Sequence, residues 1–133
     1  MRNSVPVGDP VVFVRFVKLL AAVLELSAGG ISITEAEAFA KRDEATLHGG
    51  LQTRFFNEQG KALGRSLIKC GVTDVRQASG LLVVMKLDGN GRVTKTWLNN
   101  PSVVGRCVEK EIQSAVLPTD GRPEFYTFIG LKF

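Results

Sequence analysis

The stretch Leu81–Leu98, LLVVMKLDGNGRVTKTWL, decides the fold. Its first seven residues are apolar except for Lys86, and they include the branched side chains that suit a pleated strand. Asp88-Gly89-Asn90-Gly91 follows, with residues that tolerate positive φ and so favour a tight reversal. Arg92–Leu98 alternates, as a half-exposed strand does. The two halves read as an antiparallel hairpin. Leu81–Leu87 is apolar on both faces and has to be covered. Asp88 is expected to accept hydrogen bonds within the turn, with a general base as the alternative.

Downstream, Asn100 caps and Pro101 opens a helix. Along that helix Val104, Val108, Ile112 and Ala115 recur at four, four and three, with Cys107 beside them, and Pro118 stops it. Thr119–Pro123 reads as a turn. Glu124–Phe133 reads as a last strand with Phe125, Thr127, Ile129, Leu131 and Phe133 on one face. Upstream, Thr34-Glu35-Ala36-Glu37 matches a capping box, so a helix is expected over 35–48 with a break at Gly49-Gly50. A second helix is expected over 52–70, burying Phe56, Leu63, Leu67 and Cys70 and ending at Gly71. Its other face carries a basic stripe, Arg54, Lys61, Arg65 and Lys69. That stripe reads as a solvated face, with an anion site as the alternative. Val72–Gly80 reads as a loop. The expected fold is α+β: N-terminal helices and a β-β-α-β unit, the helices on one face of a three-stranded antiparallel sheet. One domain is expected over 41–133.

The chain has 133 residues, enough for one ordinary domain. Seventeen Lys and Arg against 13 Asp and Glu give a net charge of +4. Residues 1–40 do not supply that excess, so the body is the basic part. A weak preference for anionic surfaces follows, without the dense stripe of a nucleic-acid binder. His48 is the lone histidine, which excludes an HExxH protease and a Cys2His2 finger. There is no P-loop and no GxGxxG, and no cofactor, metal or catalytic set is read from the sequence. A His48–Cys70 nucleophile pair would be the enzyme reading; His48 reads instead as a surface residue at a helix end. Glu109 and Glu111 read as solvated charges. A small-molecule substrate is not indicated by any of these motifs.

Val11–Leu26 is the most apolar segment, interrupted by Arg15, Lys18 and Glu25. In one reading residues 1–40 are an export signal, with Ala38-Phe39-Ala40 as a small-x-small cleavage site before Lys41. In the other the segment is an uncleaved helix, capped by Asp9, opened by Pro10 and ended by Gly29-Gly30. Membrane contact through residues 11–26 fits either. The first reading implies a periplasmic or secreted protein, the second a cytoplasmic one. An even cysteine count in an exported protein favours a Cys70–Cys107 disulfide; two buried thiols are the alternative.

Asp88, Gly91 and Val93, then Val116-Leu117-Pro118 before the closing strand, form a pattern that resembles the C-terminal domain of TonB-type energy transducers and the related AgmX/PglI-type domain. It also resembles small exported bacterial proteins. The resemblance covers about residues 80–133. It implies a periplasmic domain that holds an extended partner segment against a sheet edge. The matching edges are the second strand, with Arg92, Thr94, Thr96 and Trp97, and the last, with Tyr126 and Phe128. The chain lacks the proline-rich spacer of energy transducers, so energy transduction is not implied. The expected function is therefore that of a non-catalytic exported protein binding its partner by strand addition. The alternative is a basic-surface binder of an anionic ligand, a lipid headgroup or nucleic acid.

Overall fold

A computed structural model of the chain describes residues 30–132. Asp9, Pro10, the apolar segment Val11–Leu26, Gly29 and the terminal Phe133 lie outside the described residues. Chain order is α1 (Ile33–Glu44), α2 (Gly49–Lys69), a short 3-10 turn (Val75–Ala78), β1 (Leu82–Asp88), β2 (Val93–Leu98), α3 (Val103–Ile112) and β3 (Glu124–Gly130). The α+β class and the β-β-α-β order are those expected.

β1 lies in the centre of a three-stranded antiparallel sheet of order β2-β1-β3. Val83, Met85 and Leu87 pair with Ile129, Thr127 and Phe125 on β3, so these six residues share one face. α2 and α3 cover it with Phe55, Ala62, Val108 and Ile112, and the Phe55 and Phe125 rings lie 5.3 Å apart. Burying a Phe, Val or Ile side chain such as these contributes about 1.5–3 kcal/mol each. α1 packs on the opposite face. There Ala36 and Ala40 are buried, and the Phe39 ring lies 5.2 Å from Tyr126, which pairs with Lys86. The expectation of helices on one face is corrected: β1 is apolar on both faces because both are covered.

The first helix is shorter than its pattern suggested. Ser32, rather than Thr34, is its cap: the Glu35 N–H donates to Ser32 Oγ at 3.2 Å, and the Ser32 N–H donates to Glu35 Oε1 at 3.0 Å. α1 stops at Glu44, and Leu47 is buried in the connection. Gly49, at φ 56, opens α2 instead of separating it from α1. α2 buries Phe55, Ala62 and Ser66, with Leu63, Leu67 and Cys70 flanking, while Phe56 is 37% exposed. The buried face is thus rotated by one residue from the expected one. Ala38-Phe39-Ala40 lies within α1, so a domain beginning at residue 41 would lack the part of α1 that packs on the sheet.

The turn behaves as its chemistry demands. Asp88 Oδ1 accepts from the Asn90 and Arg92 N–H groups at 2.9 and 3.0 Å. Gly91 is buried at φ 78, and a Cβ there would sit 1.8 Å from the Leu117 carbonyl oxygen. The Leu117 N–H in turn donates to the Gly91 carbonyl at 2.9 Å. Close approach and positive φ both require glycine here.

Candidate functional site

In an antiparallel ladder each residue directs its N–H and C=O to one side, alternately toward one neighbour and away from it. The Asn99 N–H donates to the Leu82 carbonyl at 3.1 Å. With the observed register, Trp97 and Lys95 therefore bond toward β1, while Thr96 and Leu98 point their main-chain groups outward. On β3 the same logic sends Tyr126 and Phe128 outward. The two expected edges are thus both edges of the sheet.

The β3 edge is covered. The Tyr126 N–H donates to Asp43 Oδ2 at 2.9 Å, and the Phe128 N–H donates to Glu44 Oε2 at 3.1 Å. The Thr127 hydroxyl also donates to Glu44 Oε2, and Gln59 Nε2 donates to Thr127 Oγ1 and to the Phe128 carbonyl at 2.7 and 3.3 Å. α1 and α2 thereby replace a neighbouring strand. Burial raises the Glu44 carboxyl above its ordinary value, against the hydrogen bonds from Thr127, Phe128 and Gln59, which lower it. Tyr126 is buried and Phe128 half-buried. Two grooves, of about 620 and 310 Å³, flank Phe128, Gly130 and Leu131.

The β2 edge is different. A bulge between Lys86 and Leu87 makes Thr94 the extra residue, and its hydroxyl donates to the Lys86 carbonyl at 3.1 Å. The Thr96 hydroxyl donates to Glu109 Oε2 at 2.8 Å, so Glu109 is tied to the strand rather than simply solvated. Among the described residues none bonds to the outward main-chain groups of Thr96 or Leu98. Arg92 bridges to Val116, which closes the start of the strand. Lys95 is exposed, its ammonium 5.1 Å from the centre of the Trp97 ring, and Trp97 lies 5.9 Å from Tyr126.

The other expected residues fall elsewhere. Arg54, Lys61, Arg65 and Lys69 are exposed along α2, but Lys61 pairs with Glu58 at 3.3 Å and Lys69 with Glu111 at 3.8 Å. Cys70 and Cys107 form a disulfide that joins the end of α2 to α3. Cys70 is thereby spent as a nucleophile, and the His48–Cys70 pair does not form. Among the described residues no group of three or more His, Cys, Asp or Glu is arranged to hold a metal, and no helix is long and apolar enough to cross a membrane.

Asp43, Glu44 and Gln59 were not singled out from the sequence. The local signal is faint: two acidic residues in the last turn of a helix oppose the helix dipole, but Lys41 and Arg42 share that turn and Arg42 pairs with Asp43 at 3.0 Å. The row of N–H groups on β3 is what these carboxylates also meet. No family model, curated protein or solved structure matches the chain.

Proposed function

We propose that the protein is a non-catalytic, exported binding domain of TonB C-terminal-like kind. It takes an extended segment of a protein partner as a fourth strand beside β2. The observation that carries this reading is the difference between the edges. Asp43, Glu44 and Gln59 cap β3, whereas Thr96 and Leu98 turn their main-chain groups away from β1 with no described residue bonded to them. Strand addition draws its affinity from such groups. The disulfide supports export, because such bonds persist in oxidising compartments. The basic stripe supports the anion-binding reading less, since Lys61 and Lys69 already have carboxylate partners.

The test is Thr96→Pro. It removes an N–H that β1 does not use, so the hairpin should survive it. In native cells, a photo-crosslinker at Thr94 should trap a partner in the parent chain and lose it in the proline variant, while unfolding stays cooperative and the melting point drops only by the loss of the Thr96–Glu109 hydrogen bond. A trapped species that survives Thr96→Pro would sink the edge reading. A mature protein isolated outside the cytosol supports export; an uncut chain confined to the cytosol removes it.

A further inference from the structure

Three strands give the face on which α1 packs an unfinished row of charges. On β3, Glu124 pairs with Lys86 of β1 at 3.0 Å. Lys86 is in turn directly opposite Lys95 of β2. Like charges directly opposite on a sheet repel. Glu124 answers Lys86, and the hydrogen bond between them raises the lysine above its ordinary value. Among the described residues no carboxylate pairs with Lys95; its ammonium rests over the Trp97 ring.

A strand added beside β2 would meet Lys95 in a particular way. Because Lys95 bonds toward β1, it would be a non-hydrogen-bonded position toward the newcomer, with Cα atoms about 4.5 Å apart and the side chains close together. Thr96 and Leu98 would make the main-chain bonds. We infer that the segment received by β2 carries an aspartate or glutamate opposite Lys95, completing the row Glu124, Lys86, Lys95. This inference rests on the strand-addition reading above and names the chemistry of the partner. A lysine on an edge also discourages promiscuous pairing, so Lys95 would both reject the wrong strand and select an acidic one.

The experiment uses the disulfide-intact full chain and a short capped Thr/Val peptide with Glu at its centre, beside a twin with Lys there. Binding is followed by NMR titration of the Thr96 and Leu98 amides. The Glu peptide should bind about two- to fivefold more tightly than its twin, the range of a cross-strand charge pair. Lys95→Glu should reverse the order, and Lys95→Gln should erase the preference. Equal binding of the twins, with both amides shifting, overturns the acidic partner and leaves the edge reading standing. Shifts that depend on protein concentration without peptide make a second copy the occupant, and overturn it too. Amides that neither peptide moves, at any concentration, overturn strand addition itself.

Discussion

β2 and β3 flank the same strand and run antiparallel to it, yet they finish in opposite conditions. β3 hands its outward N–H groups to two carboxylates of α1, and β2 turns its own away from the rest of the sheet. The difference teaches that an edge is not a property of a strand. It depends on what the neighbouring elements bring to it. A carboxylate pair in the last turn of a helix is poor helix design and good edge protection.

The largest way to break the comparison is to remove the helix that makes it. A chain starting at Lys41, set against one starting at Gly30, loses Ala36, Phe39 and Ala40 and leaves Asp43 and Glu44 without a helix to hold them. Cooperative unfolding in denaturant should be lost. Next, Ile129→Ala on β3 removes a buried core side chain and should cost about 2–5 kcal/mol. On half-exposed β2, Thr94→Ala gives up one surface hydrogen bond and should cost less than about 1 kcal/mol. Equal costs in urea melts would erase the distinction between the strands.

Changes at the covered edge sharpen it. Asp43→Ala strands the Tyr126 N–H, at a cost of about 1–3 kcal/mol. Hydrogen exchange at Tyr126 should speed up while Thr96 is unaffected. Glu44→Gln keeps an acceptor for Phe128 and removes a half-buried charge. Because burial raises the Glu44 carboxyl in the folded state, its contribution to stability is fully present below the unfolded value, near 4.5, and is lost as pH rises through the folded value. Denaturation midpoints of the parent should therefore fall as pH is raised from that value toward neutrality. In Glu44→Gln the fall should shrink. An unchanged slope would mean that Glu44 is not the group responsible.

The hairpin was legible because Asp88-Gly89-Asn90-Gly91 leaves the chain few alternatives, and central β1 because its apolar run has no polar face. The disulfide was legible only as one of two alternatives. The buried face of α2 was legible in part: Leu63, Leu67 and Cys70 pack against the core as expected, but its centre lies one residue away and Phe56 is left exposed. Large residues such as Phe56 and Leu63 attract attention, but the contact runs through Phe55, Ala62 and Ser66, and small residues leave a faint trace in a hydrophobic pattern. The same holds for α1, where Ala36 and Ala40 let the helix approach the sheet closely. The covered edge was the hardest to foresee. Asp43 and Tyr126 are 83 residues apart, and no local rule joins a carboxylate to a main-chain N–H so distant.

The Cys70–Cys107 bond also matters under tension. It closes a loop that contains β1 and β2 and excludes α1 and β3. Pulling on the two ends of the chain would send the load through the sulfurs and around the hairpin. The 37-residue separation would stay hidden, roughly 120–130 Å of contour length that appears only on reduction. β3 would shear away from β1 while β2 remained zipped to it. The strand that turns its main-chain groups away from the sheet is thus the one that a mechanical load leaves assembled.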